Sequence, residues 1–269
     1  MSRAWEGVIE VPIKGRSKKP RETGLTMVID KGMAFHQLED LLESSGEFID
    51  IIKLTFGTSA FHEEKFLRKK NELLTSSGIK VMPGGTFLEV AVWQGVVDEF
   101  IQRAKNLGFS AIEVSDGTIE ISRKKRREII KKCLDKGFTV ISEAGKKDPQ
   151  EALSISELIG LIEEDLKTGA FKVIIEAREA GRGVGIFDSE GKIKNEELEM
   201  IVAEIKKVDF LIWEAPLKLQ QQELILRFGA NVNLGNIPPD EVLALEALRQ
   251  GLRGDTLKRE YLKKRDWKS

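Results

Sequence analysis

Eight times along this chain a short apolar run gives way to a turn and then to a segment with helical spacing. The runs are Leu25–Asp30, Phe48–Leu54, Ile79–Met82, Ala111–Ser115, Phe138–Ser142, Phe171–Ile175, Asp209–Trp213 and Ala230–Leu234. A continuous apolar run of this kind reads as a strand buried on both faces, and strict alternation with helices implies parallel strands joined by right-handed crossovers. Helices are expected over 34–45, 63–76, 86–107, 123–135, 154–169, 195–207, 217–228 and 240–250, two of them opened by the capping-box spacings Thr86/Glu89 and Ser154/Glu157. Eight units in 269 residues favour an α/β fold of the (β/α)8 type, a single-domain TIM barrel, over an open doubly wound sheet. No Gly-x-Gly-x-x-Gly follows the first strand, which argues against a dinucleotide-binding fold. The expected barrel spans 24–252. Before it lies a polar, basic arm (1–23), either solvated or lying over a barrel mouth or a neighbouring subunit; after it comes a charged tail (253–269) that can dock as a partial helix.

Composition removes several functions. With 43 basic and 44 acidic residues the net charge is −1, so nothing overall attracts nucleic acid or an anionic membrane. The lone cysteine, Cys133, excludes internal disulfides and disfavours a zinc–thiolate site; its helical setting suits a small buried hydrophobe. No apolar run approaches the roughly 18–20 residues of a membrane span, and the first residues lack a hydrophobic signal core, so the chain reads as cytoplasmic. The basic run Ser122–Arg127 opens a helix and reads as a solvated face, and His36 and His62 are too far apart to suggest a motif.

In such barrels the active site lies at the carboxyl ends of the strands. Those ends carry Asp30, Lys53, the turn Pro83-Gly84-Gly85, Glu113 with Ser115 and Asp116, Glu143, Glu176 with Arg178, Glu214, and Asn231 with Asn233. Side chains alternate along a strand, so Glu113 should stand above Ala111, Lys53 above Ile51 and Glu176 above Ile174. Carboxylates converging on one mouth repel unless cations neutralise them. Lys53, Lys146, Lys147 and Arg178 supply part of this. The rest is a mouth-closing salt-bridge network or a hard divalent cation, for which oxygen ligands without a histidine or cysteine cluster favour Mg²⁺. Three glycine turns, at Gly57–Ser59, Pro83–Thr86 and Asn233–Asn236, are candidates to hold an anion on backbone N–H groups, although βα turns need glycine in any case.

At these residues the chain resembles the phosphosulfolactate synthase family. The likeness runs through Gly24–Gly32, Val81–Thr86, Glu113–Gly117, Glu143–Lys147, Val173–Glu179, Glu214–Pro216, Val232–Ile237 and Gly251–Thr256. One departure is Lys53-Leu-Thr-Phe-Gly-Thr58, where the family typically has Lys-Phe-Gly-Trp-Gly-Thr. The resemblance implies a carbon–sulfur lyase of coenzyme M or sulfolactate metabolism, in which Mg²⁺ assists addition of sulfite to phosphoenolpyruvate through an enolate. It implies Lys147 as the acid, its pKa lowered by neighbouring cations, with Lys53 and Arg178 on the substrate's anionic groups. Gly84, Gly85, Thr58, Asn233, Gly235, Asn236 and Lys146 become substrate contacts, and Glu113, Glu143, Glu176 and Glu214 metal ligands or orienters. It also implies a homo-oligomer, a trimer or larger. Another enolate-forming lyase on a phosphorylated carboxylate is the alternative, as is a non-enzymatic relation to plant heat-stress-associated proteins.

Overall fold

A computed structural model describes residues 3–205 and 207–266. Eight parallel strands form a nearly closed barrel: β1 (Thr26–Asp30), β2 (Ile51–Leu54), β3 (Lys80–Pro83), β4 (Ala111–Val114), β5 (Thr139–Ala144), β6 (Lys172–Ile175), β7 (Leu211–Glu214) and β8 (Leu234–Ile237). Their order, β3-β2-β1-β8-β7-β6-β5-β4, leaves only β3 and β4 without a regular ladder, and there Ser110 N donates to Val81 O at 3.1 Å. The helices are α1 (Phe35–Ser45), α2 (Glu64–Ser76), α3 (Gly85–Gln94), α4 (Val97–Asn106), α5 (Arg123–Asp135), α6 (Ile155–Thr168), α7 (Asn195–Glu204), α8 (Lys218–Phe228), α9 (Val242–Arg249) and α10 (Gly254–Asp266).

The period of two along each strand splits the apolar residues into two cores. Val28, Ile52, Val81, Ile112, Val140, Val173 and Leu211 face out and pack under the helices. Met27, Ile51, Met82, Ala111, Ile141, Ile174 and Ile212 face in and fill the barrel. Two residues further on from these seven come Ile29, Lys53, Gly84, Glu113, Glu143, Glu176 and Glu214, the next inward layer toward the carboxyl ends. Here the interior changes from apolar to ionic.

Several elements differ from the sequence expectation. The helix expected over 86–107 is two, α3 and α4, because Gly95 closes the first in the left-handed region (φ 74°). Glu89 forms no capping box there; its carboxylate turns inward. The Ser154/Glu157 box is present, each residue bonding the other's backbone N–H. The strand expected at 230–234 is β8, displaced to 234–237, so Gly235 and Asn236 lie in a strand and not in a turn. Gly235 packs closely there: a Cβ would meet the flexible end of Met27 at 2.6 Å and Ile212 Cγ2 at 3.1 Å. A bulge in the β1–β8 register then lets Asn236 face the barrel mouth. Helix α7 stops at Glu204, and Lys206, inside its expected extent, lies outside the described residues.

The arm crosses the amino-terminal end of the barrel, where Arg16 pairs with Glu246 and Arg21 with Asp50, both at 3.0 Å. It therefore covers the end opposite the carboxylates. Within the tail α10 is held to α8 by Lys218–Asp255, and residues 1–2 of the arm and 267–269 of the tail lie outside the described residues.

Candidate active site

A cavity of about 500 Å³ opens at the carboxyl ends of the strands. Lys53, Gly84, Gly85, Glu113, Glu143, Lys147, Glu176, Arg178, Glu214 and Asn236, all expected from the sequence, line it. At its floor the ammonium of Lys53 lies 3.2 Å from Glu214 Oε1, 3.3 Å from Glu113 Oε1 and 3.7 Å from Glu143 Oε2. On the wall Lys147 Nζ donates to Thr86 Oγ1 at 2.9 Å and lies 3.5 Å from Glu143 and 3.8 Å from Glu176. All four glutamates are buried.

Burial and proximity divide this cluster electrostatically. Burial raises Glu113 and Glu176 well above the ordinary carboxylate range, and the charge of Glu143 adds to the effect. Burial acts on Glu143 in the same sense, but Lys147, Lys53 and hydrogen bonds with Glu113 and Glu176 outweigh it, so its pKa falls. Glu143 thus takes the negative charge more readily than the two carboxyl groups that flank it. Lys53 stays charged far above its normal range: burial opposes the charge, but Glu113, Glu214 and Glu143 prevail.

Lys147 corrects the sequence reading. A lowered pKa was expected from neighbouring cations, yet its neighbours are carboxylates. Burial pulls its pKa down, while Glu143, Glu176 and Glu113 push it up by more, and the net shift is upward. At neutral pH it is a firmly held proton.

Four expected substrate contacts do not line the cavity. Thr58 bonds its own turn through Thr55 O. Asn233 precedes β8 at the amino-terminal end, where it ties Leu25 N, Asp209 O and Leu211 O together. Gly235 belongs to the apolar layer, and Lys146 points away onto Asp116. Asp30 is likewise turned outward, one step past the inward Ile29, and pairs with Lys70 in the core. Asn231 holds the arm through Ser17 and Gly15. Thr86, from the expected anion turn, and Glu179, from the charged end of β6, also line the cavity, and sequence reasoning missed Thr118 and Arg182. Arg182 sits in the glycine-rich excursion after β6, a segment whose return to the mouth no local pattern announces. Phe56, on the departing 54–57 wall, lines the cavity with a left-handed backbone (φ 58°). Arg126, within the supposed solvated run, is 1% exposed and bonds Asp165 and Asp116. Cys133 is buried as expected, its thiol pushed up to about 12 by burial.

The residues can be tested for a divalent cation. Among the described residues, no three acidic, histidine or cysteine side chains are disposed as a preformed metal cage. The donor chemistry nonetheless fits: Glu113 Oε2, Glu143 Oε1 and Glu176 Oε2 are buried and accept from no N–H or hydroxyl donor, and a hard cation takes such oxygens. Anions have other partners here. The first N–H groups of α3 open on the cavity at Gly85 and Thr86, and Arg178 and Arg182 stand at its rim.

Among the described residues no helix is long and apolar enough to cross a membrane. Residues 14–255 match the family model described as (2R)-phospho-3-sulfolactate synthase (ComA). Phosphosulfolactate synthase of Methanothermobacter thermautotrophicus is 43% identical over 244 residues, covering 90% of this chain and 94% of that protein. That of Methanocaldococcus jannaschii is 46% identical over 237 residues, covering 87% and 94%. The Bacillus subtilis phosphosulfolactate synthase is 39% identical over 250 residues, covering 92% and 97%. More distant is Protein HEAT-STRESS-ASSOCIATED 32 of Arabidopsis thaliana, 21% identical, covering 87% of this chain and 88% of that protein. Among solved structures, the YdjI aldolase of Escherichia coli K12 shares the fold, with a TM-score of 0.55, 13% identity and 90% coverage of both chains.

Proposed function

This chain belongs to the (2R)-phospho-3-sulfolactate synthase family, and from that premise we propose that it adds sulfite to the methylene carbon of phosphoenolpyruvate, giving (R)-phosphosulfolactate. The observation that carries the proposal is the position of Lys147, a charged amine on the cavity wall beside Glu143 and Glu176, above the Lys53 cluster. The sulfite sulfur forms the new bond to C3. The C2–C3 π pair moves onto C2 and the adjoining carboxylate, and Lys147 delivers its proton to C2 on one face. No group leaves and the phosphate stays on its oxygen, so atoms and charge balance.

The buried cations serve this charge flow. Lys53 stays protonated at any working pH and gives a fixed positive charge beneath the developing enolate. Arg178 and the backbone N–H groups of Gly85 and Thr86 bind the anionic groups of the substrate. A Mg²⁺ held by Glu113, Glu143 and Glu176 would supply Lewis-acid stabilisation of the enolate. On this reading the enzyme is a carbon–sulfur lyase with small-molecule substrates, cytoplasmic and a symmetric homo-oligomer; light scattering on the purified protein tests the last point.

The test is ³¹P NMR of purified protein with phosphoenolpyruvate, sulfite and Mg²⁺. A new phosphate ester that requires all three, is lost on adding EDTA and is lost in Lys147→Ala supports the reaction and the assigned acid. A product that persists in Lys147→Ala removes the acid assignment and leaves the reaction. Absence of product from well-folded wild-type protein overturns the reaction itself and favours another enolate chemistry or a non-catalytic role.

A further inference from the structure

The proton donor proposed above is not on a strand but in the turn after β5, and turns do not hold a side chain to catalytic tolerance unaided. Its fixation comes from a second turn. Lys147 N donates to Gly117 O at 3.0 Å, and a Cβ at Gly117 would lie in van der Waals contact with the Lys147 side chain, 3.4 Å from Nζ. The turn 115–119 is itself gripped from two sides by buried charges that the proposed chemistry does not use. From α3, the carboxylate of Glu89, 1% exposed, accepts Ser115 Oγ at 2.6 Å, Thr118 N at 2.8 Å and Ile119 N at 2.9 Å. From α5, Arg126 pairs with Asp116 at 3.0 Å and with Asp165 at 2.7 Å, and donates to Glu143 O at 2.8 Å. Glu89 also lies one helical turn from Thr86, the hydroxyl that receives the Lys147 ammonium.

We propose that Glu89 and Arg126 are positioning residues, which clamp the 115–119 turn so that it holds Lys147 against Thr86, Glu143 and Glu176. Neither touches the cavity's substrate space. Each burns a buried charge on backbone and turn contacts, where an apolar residue would suffice for packing alone. Arg126 links the ends of β4 and β5 and Glu89 links α3 to β4, so the two grips meet on the turn whose Gly117 carbonyl accepts Lys147 N. The inference rests on the reading of Lys147 as proton donor, but its consequence for the position of Lys147 is independent of any reaction.

The test uses Glu89→Gln and, so that Asp165 is not left buried and unpaired, the double variant Arg126→Met/Asp165→Asn. Acetylation by acetic anhydride is followed by mass spectrometry at Lys147 and at Lys70, which is fully buried in the core. The expected result is about fivefold faster labelling of Lys147, with Lys70 unchanged, because only the turn is released. Kinetically, kcat should fall by about 10- to 100-fold with KM within about twofold, the mark of a misplaced group rather than of lost substrate binding. Labelling of Lys147 that is unchanged in both folded variants overturns the proposal. So does labelling that rises in step at Lys147 and Lys70, which reports general loosening. If wild-type protein does not consume phosphoenolpyruvate and sulfite, the reaction falls, and the labelling result still decides the clamp.

Discussion

Glu113 and Glu176 keep protons that an exposed glutamate would have lost, and this has a consequence for stability. Their folded pKa values are raised above the unfolded value, so as pH rises the unfolded chain releases these protons first. The folded state then binds more protons than the unfolded one, and stability falls as pH climbs through the raised values. In metal-free buffer, Glu176→Gln should match wild type near pH 4.5 and be the more stable protein at pH 8, as read from urea midpoints. An equal gap at both pH values would remove the account. Lys53 gives the complementary prediction. Removing its charge leaves Glu113, Glu143 and Glu214 facing one another in the core. Lys53→Met should lose about 3–5 kcal/mol of unfolding free energy in the same assay, the range for orphaning a buried charge.

The excursion between β6 and α7 is the element that most shapes the mouth. It returns Arg182 to the cavity and closes on itself through the Phe187–Ile193 bridge. Gly185 permits this: its backbone is left-handed (φ 58°), and any Cβ would collide with the carbonyl oxygen of Glu176. Gly185→Ala should therefore push the excursion off the end of β6, lowering kcat/KM by about 10- to 100-fold in the ³¹P assay through displaced Glu176 and Arg182. Wild-type activity in that variant would show that the excursion does not shape the site. Most of the helices and strands themselves were legible, because their apolar periods are local properties. The misses have equally local causes. Gly95 breaks a helix that the pattern of its neighbours would continue, and Gly235-Asn236 carry turn chemistry inside a strand that a crowded interior requires.

At the scale of the molecule, the two ends of the barrel do different work. The amino-terminal end is closed by the arm through Arg16–Glu246 and Arg21–Asp50, and by the buried Arg249 bonded to Leu25, Ala230 and Val232 carbonyls. Burial would raise the Glu246 pKa, but Arg16 outweighs it and holds it low. A depressed carboxylate contributes its stability above the unfolded pKa and loses it as pH falls through the folded one. Arg16→Met should cost about 3 kcal/mol at pH 7, with the deficit shrinking in acid, and leave kcat/KM within about twofold. A large activity loss without a stability loss would contradict this division of labour.

What the sequence determined by itself was the barrel and the belt of charge at its mouth. Alternating apolar runs and helices admit few other closed arrangements, and charges at strand ends cannot be core filler. Glu113, Glu143, Glu176, Glu214 and Lys53 follow from a two-residue step beyond the inward apolar layer, which any reader of the period can take. Only the tertiary structure decided which charges share one space. A single-residue step turns Asp30 into the core behind the strand, and the carboxylates that hydrogen-bond Lys53 lie 60 and 161 residues away along the chain. The sign of the shift at Lys147, the burial of Arg126 and the grip of Glu89 depend on such distant neighbours, because electrostatic energy is set by separation in space and not along the chain.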